Sequence, residues 1–146
     1  MNALSQEVQI RTALDYASAA AVRNGAVFDM SGFEGVLMVV KFAAVAAAGV
    51  FSIKVQQDTA VGMGAAADLA GTAIAVANDD DEQIFILDIY QPKERYVRVV
   101  VVKDATNVSA EMAFYIGYGA RTLPVVQTLV DKVTYELHVS PVEGTA

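Results

Sequence analysis

Apolar residues fall on every second position through much of this chain, in short runs separated by glycine, proline or acidic stretches. That spacing is what a strand with one buried face requires. In Val50 to Gln56, Phe51, Ile53 and Val55 point one way while Ser52, Lys54 and Gln56 point the other. Met112, Phe114, Ile116 and Tyr118 share a face of Ser109 to Tyr118, and Val8, Ile10, Thr12 and Leu14 share a face near the start. Glu34 to Val40, Ile84 to Tyr90 and Tyr96 to Val102 are more continuously apolar and read as further strands, with Asp88 and Arg98 their odd members. No segment sustains a helical period for long. Valine supplies 23 residues and alanine 25, and the β-branched load favours sheet.

The connections carry turn signals. Asn24-Gly25 precedes a short strand at Ala26 to Phe28, and Ser31-Gly32 makes the next break. Ala43 to Gly49 is a small-residue link. Gln57 to Gly71 is a long glycine- and alanine-rich connection with room for one helical turn at Ala65 to Leu69, and Thr72 to Ala77 forms a short strand. Asn78 to Glu82 and Gln91 to Glu94 are turns, the latter built on Pro92. The short polar stretches between Ile84–Tyr90, Tyr96–Val102 and Ser109–Tyr118 predict antiparallel neighbours. Beyond Tyr118 the sheet breaks, and Pro124 to Val126 is extended. Val133, Tyr135, Leu137 and Val139 then alternate with Thr134, Glu136 and His138; this last strand completes the parent sheet or reaches a neighbouring subunit, with the parent sheet preferred.

The expectation is an all-β, single-domain antiparallel β-sandwich over residues 1–146, of about nine short strands. Its connections are jelly-roll or Greek-key, with an immunoglobulin-like sandwich as the close rival. Residues 1–25 are an N-terminal arm or the first strand, and 119–132 are a candidate inter-subunit segment.

At 146 residues and 15.5 kDa the chain suits one domain with its own core. With no cysteine and one histidine, disulfides, cysteine nucleophiles and multi-histidine zinc sites are excluded. A net charge of −7 argues against nucleic acid as a partner. The first residues, MNALSQEVQI, lack the basic flank and apolar run of a signal peptide. Gly35 to Ile53 is mostly apolar, but Lys41 sits within it, so no membrane span is expected.

Candidate chemistry is sparse. Asp79, Asp80, Asp81 and Glu82 are adjacent rather than staggered around an ion, and read as a solvated turn. His138 has no nucleophile elbow to serve and reads as exposed or at an interface. Asp88 reads as a structural carboxylate paired with Arg95 or Arg98. Gly62, Gly64 and Gly71 lack the strand, helix and lysine of a phosphate loop. Tyr90, Tyr96, Tyr115 and Tyr118 lack a basic surround and read as sheet packing. No catalytic, cofactor-binding or metal-ligating residue is assigned, and no cofactor is expected; a chain without a convergent polar set reads as a binding or structural protein rather than an enzyme.

The segments Asp29-Met30-Ser31-Gly32-Phe33-Glu34-Gly35-Val36, Asp68-Leu69-Ala70-Gly71-Thr72, Ile86-Leu87-Asp88-Ile89-Tyr90-Gln91-Pro92, Arg95-Tyr96-Val97-Arg98 and Tyr118-Gly119-Ala120-Arg121-Thr122-Leu123-Pro124-Val125 together resemble small head proteins of tailed bacteriophages and prophages. The resemblance spans about residues 27–127. It implies a decoration or cement protein with a β-sandwich or jelly-roll fold, made in the host cytoplasm and placed on the outer surface of the virion head. Its implied partners are the major capsid protein and copies of itself, as trimer or dimer, with neither nucleic acid nor membrane. The interface candidates it implies are Arg95 and Arg98, on a strand whose arginines meet carboxylates, and Arg121, Leu123, Pro124 and Val125, an arm or seam segment. A neck or tail connector is the alternative, and a carbohydrate-binding sandwich a third.

Overall fold

A computed structural model describes residues 3–104, 109–127, 133–140 and 142–144. A single helical turn, α1 (Leu4–Glu7), precedes ten strands. These are β1 (Gln9–Ala19), β2 (Arg23–Asn24), β3 (Phe28–Asp29), β4 (Gly35–Phe42), β5 (Phe51–Asp58), β6 (Ala67–Asp68), β7 (Ile74–Val76), β8 (Ile84–Tyr90), β9 (Tyr96–Lys103) and β10 (Ser109–Tyr118). One sheet runs β1-β10-β4-β8; the other is built on the β9–β5 pair, with β2 and β3 along the outer side of β9 and β6 and β7 along the outer side of β5. All pairings are antiparallel.

With β2/β3 and β6/β7 each taken as one interrupted strand, every sheet has four members. Successive strands then cross from one sheet to the other, except at the β5–β6 hairpin. That winding is a jelly roll, and it decides against the immunoglobulin-like rival. It also corrects the expectation that Ile84–Tyr90, Tyr96–Val102 and Ser109–Tyr118 are sheet neighbours: β8 and β10 lie in one sheet and β9 in the other. A short polar connection reaches the roughly 10 Å between packed sheets about as easily as the neighbouring position within one.

The core lies between the sheets. It takes Val36, Met38, Val40 and Phe42 from β4, Phe85 and Leu87 from β8, Phe51, Ile53 and Val55 from β5, and Val97, Val99 and Val101 from β9. Phe42 meets Phe85 edge-on at 5.8 Å, and Phe28 meets Tyr115 in the same way, also at 5.8 Å.

Three local expectations are corrected. The β1 ladder shifts register between Thr12 and Leu14, so Ala13 and Leu14 are both buried and Leu14 leaves the face of Ile10 and Thr12. Ala65 to Leu69 forms no helical turn: Ala67 and Asp68 pair with Gln57 and Gln56. Among the described residues, 133–139 join no sheet; their alternation supplies an apolar face, but no described edge takes it.

Candidate interaction site

The solvent side of the β1-β10-β4-β8 sheet is largely apolar, with Thr12, Lys41 and Asp88 as its polar members. Register places Ile10, Ile116, Leu37 and Asp88 in one row, and Thr12, Phe114, Val39 and Ile86 in the next. Met112, Lys41 and Ile84 follow. Ile84 and Ile86 are 54% and 55% exposed. In β10 the usual allocation is inverted: Met112, Phe114, Ile116 and Tyr118 face out, while Glu111, Ala113, Tyr115 and Gly117 face in. The opposite sheet presents Ser52, Lys54 and Gln56 beside Arg98 and Val102, with Val100 buried among them, a more polar surface. The two faces of the sandwich are therefore chemically distinct.

At one end, a cleft of about 340 Å³ lies between the turn after β3 and the β8–β9 connection. It brings together Arg95 and Arg121 with Glu34, Lys93 and Glu94. Arg95 grips Asp29 with two hydrogen bonds, Nε to Oδ1 at 2.9 Å and Nη2 to Oδ2 at 2.8 Å. That guanidinium holds the Asp29 carboxyl at about 2, below its ordinary 3.8. The Arg121 backbone N–H donates to Gly32 O at 3.0 Å, which seats the Arg121–Val125 stretch against the same turn.

The other interface candidates disperse. Arg98 lies on the polar face, where both Nε and Nη2 donate to Gln56 Oε1 at 3.0 and 2.8 Å rather than to a carboxylate. Leu123 and the cis-linked Pro124 are exposed. The Val125 N–H donates to Gln6 O at 2.7 Å. Gln127, which the sequence did not single out, then acts as a one-residue strand on the β1 edge. Its Oε1 accepts the Ile10 N–H at 3.0 Å, and its Nε2 donates to Ser5 O and Val8 O at 3.1 and 2.5 Å.

Asp88 pairs with neither Arg95 nor Arg98. It is exposed and accepts the Tyr118 hydroxyl at 2.6 Å, because its position in β8 faces the solvent side of the sheet away from both arginines. Desolvation and that carboxylate push the Tyr118 phenol up to about 12. The acidic turn is spent on backbone: Asp80 Oδ2 accepts the Ala77 N–H at 2.7 Å and Asp81 Oδ1 the Val45 N–H at 2.6 Å. The glycine loop folds on the Asp58 carboxylate, which takes the Ala60 and Ala65 N–H groups at 3.0 and 2.9 Å. Those bonds hold the Asp58 carboxyl below its ordinary range. His138 is exposed and meets Glu136 at 3.0 Å. The tyrosines form no common face: Tyr115 is in the core, Tyr96 lies under Arg95, and Tyr90 and Tyr118 flank Gly35.

The chain's most concentrated buried charge escaped sequence reasoning. Glu111, on the inward face of β10, is fully buried between two cations from elsewhere in the chain. Arg23 Nη1 meets its Oε1 at 2.7 Å, and the Lys103 ammonium lies against Oε2 without an aligned hydrogen bond. Lys103 also donates to Ala19 O at 2.9 Å and Ser109 O at 2.7 Å, and Arg23 to Asp15 O at 2.7 Å. Every polar contact here ties strand ends together and none opens to a cleft, so the network is a structural clasp. Only the interruption of β10 by a glutamate on the Tyr115 face signalled it. Among the described residues, no group of three or more His, Cys, Asp or Glu is placed to hold a metal, and no helix is long and apolar enough to cross a membrane.

No protein-family model and no curated protein matches the sequence. Solved structures match by shape. The crystal structure of the PBSX exported protein XepA superimposes with a TM-score of 0.56 at 16% identity, over 96% of this chain and 46% of that one. This chain thus spans less than half the length of that protein. A chain from the structure described as "Bacillus endospore appendages form a novel family of disulfide-linked pili" gives a TM-score of 0.45 at 14% identity, over 81% and 95% of the two chains. At its level of identity, the likeness to XepA is one of fold: a β-sandwich shared along nearly the whole of this chain.

Proposed function

We propose that this chain is a non-enzymatic structural protein of a phage head, which binds the outer capsid surface through the apolar face of the β1-β10-β4-β8 sheet and bridges capsomers. The observation that carries the reading is that face. Half-buried Ile10, Leu37, Phe114 and Ile116 and exposed Ile84, Ile86 and Met112 make this side of the sheet largely apolar, around Lys41, on the outside of a sandwich that already has a complete core. Contiguous exposed apolar surface of this kind marks an interaction site. The resemblance of the Asp29–Val36 and Tyr118–Val125 segments to small phage head proteins supplies the particle, and the fold shared with the PBSX exported protein is compatible with it.

The mechanism is mechanical. A subunit that binds only the assembled shell stabilises it by mass action, and many identical contacts on one lattice add avidity. The net charge of −7 suits a position away from packaged DNA. The test is co-sedimentation of the full chain with heads, and separately with tails, of the phage or prophage whose genome encodes it. Saturable binding to heads at a fixed number of copies per capsomer is expected. Binding confined to tails or necks transfers the chain to the connector reading, and binding to neither overturns both.

A further inference from the structure

The strand β8 is an open edge. The bonds from Gln91 N–H to Glu34 O (2.8 Å) and from Phe42 N–H to Gln83 O (3.2 Å) set the phase of the β4–β8 ladder. Counting from them, Phe85, Leu87 and Ile89 bond to β4, while the N–H and C=O groups of Ile84, Ile86, Asp88 and Tyr90 point away from it. Among the described residues, nothing pairs with that outward side. Edges are ordinarily blunted by proline, charged side chains or a bulge; β8 has no proline and no bulge, and its one charge, Asp88, is bonded by the Tyr118 hydroxyl. Beside its C-terminal end, at Asp88, Ile89 and Tyr90, lies a groove of about 510 Å³ whose other wall includes Gln57, Leu69 and Thr72. Gln57 Oε1 is buried and accepts no hydrogen bond.

The same chain carries a strand without a sheet. Val133, Tyr135, Leu137 and Val139 alternate with polar residues over a length equal to that of β8, yet 133–139 is unpaired and Val139 is 89% exposed. This segment leaves the body at the far edge of the sheet. Gln127 is fastened to β1, and the Tyr135 hydroxyl lies 3.5 Å from Ser5 Oγ on α1. Since β10 and β4 intervene, donor and acceptor edges stand about 15 Å apart.

We propose that residues 133–139 of one copy add as a strand to the β8 edge of the next, with Val133, Tyr135, Leu137 and Val139 directed into the groove. Backbone bonds to the outward groups of β8 supply affinity, and the alternate side chains supply fit. Because donor and acceptor are different surfaces, the contact is head-to-tail: it closes a ring or grows a filament. It stands independently of whether the particle served is a head.

The test uses two variants of the full chain. Ile86→Pro removes an outward N–H that bonds nothing among the described residues, and Leu137→Pro disables the donor. In sedimentation analysis the wild-type chain associates, each variant alone is monomeric, and an equimolar mixture gives a dimer and nothing larger, since that dimer has neither a free donor nor a free edge. A mixture that stays monomeric, or a variant that associates like wild type, overturns the proposal. Hydrogen exchange on the wild-type chain tests it without any substitution. Protection of the Ile86 and Asp88 amides must rise with protein concentration; protection that is independent of concentration places the segment on its own β8 and overturns the proposal. Failure to bind heads leaves all these results unchanged.

Discussion

The Tyr115 hydroxyl accepts the Val99 N–H at 2.9 Å, a hydrogen bond from one sheet to the other through the middle of the core. It fills a gap. Val99 lies between the residues that β2 and β3 pair with; the Gly25 N–H donates to Val99 O at 2.8 Å, but the chain then turns away, with Ala26 N–H bonding Ala13 O, and offers the Val99 N–H no acceptor. Directly across the β9–β5 ladder, Val55 has the same difficulty between β6 and β7, and there Thr72 Oγ1 accepts its N–H at 3.1 Å. Both borders of this sheet are thus interrupted at one level, and a side-chain hydroxyl replaces the missing acceptor each time. Gly25 makes room for the first of them: a Cβ there would lie 2.6 Å from the Tyr115 oxygen.

Tyr115→Phe keeps the ring and its edge-on contact with Phe28 but leaves the Val99 N–H unsatisfied, which costs about 1–3 kcal/mol. Thr72→Val does the same to Val55 at similar cost. Urea denaturation of the two variants and wild type reads both; unchanged midpoints would contradict the patching role.

These relationships explain what could be read from the sequence. Strands β4, β5, β8, β9 and β10 stand out because each has an uninterrupted pattern over many residues. The two-residue strands β2 and β6 look like loops because two residues are too few to show an alternation. The face shared by Met112, Phe114, Ile116 and Tyr118 was legible, but not its outward direction: alternation gives sidedness without saying which side is inside. The cleft joining Arg95 to Arg121 depends on the chain returning past Gly32, and no local pattern encodes that return.

Glu111→Gln leaves the Lys103 and Arg23 cations buried without their anion and destabilises the fold by about 3–5 kcal/mol. Adding Lys103→Met to it costs less than the two single losses summed, because the cation left over is then removed. Thermal or denaturant unfolding of the four-member cycle measures both effects.

The Asp29–Arg95 pair gives a defined acid response. Asp29 has a carboxyl held at about 2 against 3.8, so its contribution is complete above about 4 and is lost as pH falls toward 2. The pair is exposed, so the contribution stays below about 1 kcal/mol. In Arg95→Ala, an NMR titration of the Asp29 carboxyl moves up toward 3.8; a midpoint that stays near 2 would contradict the assignment.

Tyr118 gives the alkaline counterpart. Its phenol is pushed up to about 12 from 10, so the folded chain gains stability that is present below about 10 and lost as pH rises through 12. Asp88→Asn removes the charge but not the desolvation, so the phenolate absorbance midpoint falls part of the way toward 10.

The proposed role has the apolar face of the β1-β10-β4-β8 sheet hold this chain on a phage head. It is tested most directly by the affinity of outward-facing variants for isolated heads. Ile84→Glu and Met112→Glu lie on that face, and Lys54→Glu lies on the polar one. The account predicts that the first two abolish binding while the folded state persists, and that the third binds as wild type. Undiminished binding by Ile84→Glu and Met112→Glu, or loss of binding with Lys54→Glu, would contradict it.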